Sequence, residues 1–487
     1  MDQKDQKVQT FDEMLKSQGY VTPSGGTLTG DDIIDDLAKA LTTTNSGPGG
    51  IVGGPHMLEN LDGVMTEVLI TEQHFKLYNM LPKVPSAQPY YEYNKHKGYG
   101  SRRGSLGFRE GGAPKGGVSS FERKGEYTKY LGVKGGITHQ MITTGNMGGA
   151  FEDPTVRENR DRTMEMLERL ERELLFGQEA IKDENGVEVN MNGILTELEA
   201  VNPSNVVDME GAAFGFEQLD ESALDLVTTG KQATVNGYSA IMSAHVSDGI
   251  NKQYQDRNIV RHNKDNSRGA EYTPGFKVPA YENQFGNIGL DHSILMEEVE
   301  GSAPLAVADA SAPAASAAAS PAAASEATSK LEADTYYYFV SAFNDSGESL
   351  TVASGGQAAT VGQKITLTIT RVDAATGYRI YRSTVDDVTT ARWIGRITQP
   401  ASGNATFVDL NGWRTVDAAG KAANGLSLVI KPDSKDITIA QLAPLAKMPL
   451  PQVDTTFPFL LLLYIVLVLK APERVRVYKN CGSYTPQ

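Results

Sequence analysis

Apolar and polar residues alternate along this chain with several different periods. From His56 to Met80, Leu58, Leu61, Val64, Val68 and Leu69 recur at helical spacing, and Pro82 and Pro85 then stop regular structure, which predicts a helix followed by an extended segment. A second helix is announced by Asp153 and Pro154, a capping carboxylate followed by proline at the first helical position. Val156, Thr163, Leu167, Leu170 and Leu174 form its apolar stripe, Arg157, Glu158, Arg162, Glu165, Glu168, Arg169, Glu171 and Arg172 occupy the other sides, and Gly177 ends it. At 1.5 Å per residue it should run roughly 35 Å. Helices are also predicted over Leu219 to Thr229 and Val246 to Asp256, with strands at Tyr238 to Ser243 and in FKVPAYENQFGNIGLDHS, a mixed α/β pattern.

Strand periodicity dominates elsewhere. PYYEYNKHKGYG and FERKGEYTKYLGVKGGITH alternate large and polar residues around the glycine-dense GSRRGSLGFREGGAPKGG, the pattern of a long β-hairpin with a pliable tip. Short strands are predicted at Thr335 to Ala342, Lys364 to Thr370, Gly377 to Arg382, Arg392 to Ile397 and Asn404 to Val408, a spacing that suggests a β-sandwich. Ala306 to Ser325 precedes them, with twelve alanines in twenty residues broken by Pro313 and Pro321, and reads as a semi-extended linker. A mixed pattern resumes at Leu426. Phe457 to Leu469 is a continuous apolar run, well short of the roughly 20 residues needed to cross a bilayer as a helix, and predicts a buried strand.

Charge changes this picture in one place. The 487-residue chain carries a formal net charge of -15, yet residues 85 to 135 hold ten Lys or Arg against four Glu. The overall acidity argues against a protein that coats DNA along its whole surface, and the confinement of the cations to one hairpin favours a protein contact. The first residues, polar and glycine-rich, lack the apolar core of a signal peptide and read as an arm with a short amphipathic stretch at Asp31 to Leu41. The single cysteine, Cys481, excludes an intrachain disulfide and reads as a tail residue.

The sequence nominates no catalytic constellation. Gly98, Gly100 and Gly104 miss the spacing of a dinucleotide-binding loop, and no Gly-Lys-Ser/Thr follows a strand. The seven histidines are scattered without an HExxH pair. Asp183, Asn185 and Glu188 lack the ligand series of a calcium loop and read as a turn. With no nucleophile and base, no metal site and no cofactor site in view, the expectation is a chain that is not an enzyme and binds no cofactor.

The order of elements resembles the major capsid proteins of tailed bacteriophages, which share the Hong Kong 97 fold with encapsulins. HMLENLDGVMTEVLITEQHFKLYNMLPKVPSAQPYYEYNK resembles their arm-to-hairpin region, VPAYENQFGNIGLDHS their axial-domain strands, and FPFLLLLYIVLVLKAPERVRVYK their closing strands. TYYYFVSAFNDSGES and ATGYRIYRS resemble fibronectin type III and related immunoglobulin-like domains, with the two motifs in reversed order. The resemblance implies an α+β fold with these parts: an arm over 1–54, a helix and arm segment over 55–84, an extended hairpin over 85–140, a peripheral domain with a spine helix over 141–204, and an axial domain over 205–301. An inserted immunoglobulin-like domain over 302–425, with its linker at 306–325, and closing strands over 426–487 complete it.

That resemblance gives the features roles. The chain is expected to assemble with itself into hexamers and pentamers of an icosahedral virion shell, made in the host cytoplasm. Its other expected partners are a portal, scaffolding or decoration proteins and packaged double-stranded DNA, with no membrane partner. The hairpin tip, Arg102, Arg103, Arg109 and Lys115, is expected to meet acidic surface on a neighbouring copy. Two other readings stand beside this one. An encapsulin compartment is one, and a sandwich that binds a host-surface glycan through Tyr336, Tyr337, Tyr338, Tyr378, Tyr381 and Trp393 is the other.

Overall fold

The computed structural model describes residues 69–100, 106–114, 116–145, 153–181, 187–257, 278–296, 313, 319–344, 347–414, 423–452 and 454–484. The N-terminal arm, the helical pattern before Leu69, Arg102, Arg103, Lys115, Asp183, Asn185 and most of the alanine tract lie outside these residues. The described chain is rich in strands and poor in helices, an α+β architecture.

One sheet has the order β1 (Lys83–Pro85), β18 (Ile437–Pro449), β19 (Thr456–Leu469), β4 (Lys129–Thr138). The apolar run of the sequence is its central strand, β19, antiparallel to both neighbours. Strand geometry sends alternate side chains to opposite faces. Phe459, Leu461, Leu463, Ile465, Leu467 and Leu469 therefore all face the main core, which also holds Met166, Leu170 and Leu174 of the long helix. Among the described residues the second face is fully buried toward the C-terminal end, where Val466 and Val468 join Ala440, and half-buried at Leu460, Leu462 and Tyr464.

The long helix runs Pro154–Phe176, with the Asp153 carboxylate accepting the Thr155 N–H at 2.8 Å. Its exposed sides are laced by ion pairs one turn apart: Arg157 with Asp161, Glu158 with Arg162, Glu165 with Arg169 and Glu168 with Arg172. It ends at Gly177, whose ψ of 145° leaves the helical region, and the position requires glycine because a Cβ there would lie 2.4 Å from the Met191 carbonyl oxygen. Two residues depart from the expected stripe. Val156 is 53% exposed and outside the core. Glu171 is only 1% exposed, because its carboxylate accepts the N–H groups of Leu77 and Tyr78 at 2.7 and 2.8 Å. Those donors start the short helix Lys76–Met80, so the carboxylate caps another element.

A second, six-stranded sheet has the order β5 (Val206–Asp208), β20 (Arg476–Cys481), β17 (Gly425–Ile430), β6 (Tyr238–Met242), β8 (Gly286–His292), β7 (Ala280–Asn283). The helices Phe216–Thr228 and Ala244–Arg257 contribute Leu219, Ala223, Leu226, Val246 and Ile250 to its core. Cys481 is no tail residue: it is fully buried on β20, and desolvation pushes its thiol well above the usual range.

Between β8 and β17, the strands pair only among themselves within the described residues. β11 (Gly347–Glu348), β10 (Asp334–Asn344), β14 (Gly377–Ser383) and β15 (Arg392–Thr398) form one sheet, with β12 (Val352–Ala359) also on β10. β16 (Ala405–Asp409), β13 (Gln363–Ile369) and β9 (Ser320–Ser325) form another. Ile365, Leu367 and Ile369 share one core with Tyr338, Val340, Tyr378 and Ile380. β9 corrects the expectation of a linker through Ser325: the end of the alanine tract is an edge strand, where Pro321 has no ladder N–H to lose. β12, with its glycines, has little strand propensity and was not anticipated.

These sheets do not hang free. Trp393 and Trp413 lie 6.5 and 6.2 Å from the Phe176 ring at the end of the long helix, and Arg396 donates to the Phe176 carbonyl.

Candidate assembly surface

β2 (Tyr90–Gly98) and β3 (Ser120–Tyr127) form a two-stranded antiparallel hairpin separate from the other sheets. The predicted hairpin reaches to residue 140, but the structure ends it at Tyr127: Thr128 donates to the Pro89 carbonyl, and β4 leaves to pair with β19. Glycine makes that departure possible, since a Cβ on Gly135 would meet the Phe459 ring at 2.4 Å.

Alternation gives β2 an inner and an outer face. On the inner face Tyr91 and Tyr93 pack on Ala440, Val466 and Val468, the only covering of that side of β19 among the described core clusters. The Tyr93 hydroxyl donates to the Leu469 carbonyl at 3.3 Å, and burial pushes its pKa up to about 12. The Lys95 ammonium holds Glu473 at 2.7 Å. Across the root, Glu126 of β3 shares a small cavity with Glu179 and Glu197, beside Lys129, which is paired with Glu179 at 2.7 Å. Burial, reinforced by Glu197 and Glu179, pushes the Glu126 carboxyl up to about 7.

The outer part of the hairpin and its tip are apolar and exposed. Leu106, Val118 and Phe108 are 98%, 87% and 60% exposed, and Tyr99 and Phe121 flank them, each ring packed on His96. Arg109 is exposed there as well. Of the four tip cations named from the sequence, Arg109 alone falls within the described residues.

A second exposed apolar group lies at the other end of the same sheet. Met141 follows β4, Phe457 opens β19, and Leu445 and Met448 lie toward the end of β18. The first turns of the long helix lie beside them, where Asn159 accepts from Lys447 at 2.6 Å. The 14-residue β19 spans about 45 Å, with the seated hairpin at its C-terminal end and this patch at its N-terminal end.

Among the described residues no group of three His, Cys, Asp or Glu is placed to hold a metal ion, and no helix is long and apolar enough to cross a membrane. Of the six aromatic residues named from the sequence, Tyr336, Tyr338, Tyr378 and Tyr381 are buried, Tyr337 is half-buried beside Phe339 and Tyr381, and Trp393 is packed against Phe176 and Trp413. Sequence reasoning missed Tyr91, Tyr93, Glu126 and Glu473 as the groups that seat the hairpin. The one available signal was the alternation of Tyr91, Tyr93 and Lys95.

No family model matches the chain. No curated protein matches it. Solved structures do. The capsid of the native GTA particle is 10% identical, over 91% of this chain and all of that one, with a TM-score of 0.41. The capsid of Myoviridae phage XM1 is 8% identical, over 88% of this chain and all of that one, at 0.42. An encapsulin complex from Synechococcus elongatus is 11% identical, over 87% of this chain and 94% of that one, at 0.35. Phage capsid structures predominate among the matches, and the likeness is one of chain path.

Proposed function

We propose that this chain is a shell-forming structural subunit, the major capsid protein of a tailed bacteriophage. The observation that supports this best is the pair of exposed apolar surfaces at opposite ends of β19. A chain that leaves Leu106, Phe108 and Val118 in water on a projecting hairpin gains stability when a second surface covers them. Because the hairpin and the distal patch Met141, Leu445, Met448 and Phe457 are different surfaces, their contact is head-to-tail. Head-to-tail contacts form rings where the rotation between neighbours closes, and rings of six and five subunits tile an icosahedral shell. Arg109, with Arg102, Arg103 and Lys115, adds a positive charge that steers the hairpin toward the acidic surface of a neighbour.

On this reading the shell assembles in the host cytoplasm, encloses double-stranded DNA and is joined by a portal and by scaffolding or decoration proteins. The strands β9 to β16 form an immunoglobulin-like insertion displayed on the outer surface. Electron microscopy of the purified chain and of producing cells tests the proposal. Closed particles are expected, and particle contents of DNA or of an enzyme distinguish a phage head from an encapsulin. Monodisperse monomers under every assembly condition, with no particle in the cells, sink it.

A further inference from the structure

The double sheet of β9 to β16 is attached to the rest of the chain at two separate places. The first is the C-terminal end of the long helix. Its last turn holds no basic residue of its own, although the free carbonyls there favour a cation. Arg396 of β15 supplies one and donates to the Phe176 carbonyl, while Trp393 and Trp413 close on the Phe176 ring. Burial raises the Glu173 carboxyl in the same turn, and Arg396 is the cation that opposes the rise.

The second place is the β5–β20 edge of the six-stranded sheet. Lys330, in the chain before β10, reaches Asp208 at 2.9 Å and Glu210 at 2.7 Å. Asn480 of β20 is buried and has a φ of 57°, in the left-handed region that side chains seldom adopt. Its amide is turned to the chain that leaves β16: Oδ1 accepts the Arg414 N–H at 2.8 Å, and Nδ2 donates to the Gly412 carbonyl at 3.0 Å and to Asp208 at 2.8 Å. That exit chain is also fixed from inside the double sheet. Arg382, paired with Asp409 at 2.7 Å, donates to Asn411 at 2.7 Å and to the Trp413 carbonyl at 3.0 Å. Trp413 consequently packs on the main core and on the core of the double sheet at once.

A tethered appendage needs neither attachment. Here each one satisfies groups of the body that would otherwise lose their partners: the Phe176 carbonyl and ring at one end, the Asn480 amide at the other. The shared core of Ile365, Leu367, Ile369, Tyr338, Val340, Tyr378 and Ile380 makes the span between them stiff. We infer that the double sheet is an internal brace, which holds the last turn of the long helix and the β5–β20 edge in one fixed relation. The brace is a property of the single chain and goes beyond the shell reading. Under that reading it has a consequence, since a subunit of one shape offers its neighbours one rotation, and a uniform particle needs that rotation to close.

Double electron–electron resonance on the full-length chain tests it, with spin labels at Arg169→Cys on the long helix and Leu224→Cys on the helix Phe216–Thr228. Both positions are exposed, and the native Cys481 is buried. A single narrow distance distribution is expected in the otherwise native chain. Asn480→Gly with Lys330→Ala removes the edge attachment, and glycine keeps the left-handed backbone without strain. Arg396→Gln with Trp393→Ala removes the helix attachment. Each pair is expected to broaden the distribution, and Arg396→Lys is expected to keep it narrow. Lys330→Ala alone, at a partly exposed residue, keeps the fold should a paired variant lose it, and is expected to broaden the distribution in the same sense. A distribution that stays narrow in the folded variants overturns the inference. So does broadening confined to Arg169→Cys with Val361→Cys, a label on the double sheet, because the sheets would then swing without disturbing the rest. Electron microscopy of the same variants separates the brace from the shell. No particle from the native chain sinks the shell reading alone, and particles of one diameter from variants with broadened distances overturn the link to particle size.

Discussion

Lys95 on the hairpin and Glu473 on the turn after β19 are joined by an ammonium–carboxylate contact of 2.7 Å, the one ion pair in the described residues that ties the hairpin to that turn. The pair is partly exposed, so its net worth is at the scale of a surface bridge, about 0.2–1 kcal/mol. Its effect is therefore local. In Lys95→Ala, amide exchange over Tyr90–Gly98 and Ser120–Tyr127 is expected to accelerate while the melting temperature barely moves. Unchanged exchange in the hairpin would show that Tyr91 and Tyr93 seat it alone.

Glu126 makes the seating of the hairpin depend on pH. Its carboxyl is raised to about 7 by burial and by Glu197 and Glu179, and it returns to the ordinary carboxylate range once released. The seated state thus binds more protons than the released one, so seating weakens as pH rises. The contribution is constant below the ordinary carboxylate range, declines from there through pH 7, and levels off above it. Glu197, likewise raised by burial first, acts in the same direction. Hairpin exchange measured from pH 5 to 8.5 is expected to accelerate with pH beyond the intrinsic rate in the native chain, and to lose much of that excess in Glu126→Gln. An identical profile in the variant would exclude Glu126 as the titrating group.

Glu171 is a larger stake, because both oxygens accept backbone N–H groups in the interior. Glu171→Ala leaves the Leu77 and Tyr78 donors without acceptors and opens a cavity, at a cost of about 2–4 kcal/mol. Glu171→Gln keeps the shape but only one acceptor oxygen, and is expected to cost less. Denaturant melts of both variants measure the order, which equal losses would contradict.

The strands β9 to β16 should be removable only with repair. Met296 and Leu426 share the main core, so a short Gly/Ser bridge replacing residues 306–420 can join the flanking chain. Removal bares the Phe176 ring, now covered by Trp393 and Trp413. The shortened chain is expected to keep its remaining secondary structure by circular dichroism but to aggregate, and Phe176→Ser is expected to restore its solubility. Unfolding of the shortened chain, even with that substitution, would show that the excised strands hold the rest together.

What could be read from the sequence was local. Asp153, Pro154 and Gly177 bound the long helix because caps depend on neighbours a few residues away, and the run from Phe457 to Leu469 declared itself a covered strand by composition alone. The sandwich strands after Thr335 and the tyrosine alternation of the hairpin were legible for the same reason. Long-range pairing was beyond it. Nothing in a local pattern places β17 between β20 and β6 across a gap of 182 residues from Met242 to Gly425, or sends β4 out of the hairpin to β19. Burial of single polar groups was equally illegible: Glu171 sits among look-alike glutamates on the helix, and only the position of Leu77 and Tyr78 makes it a cap.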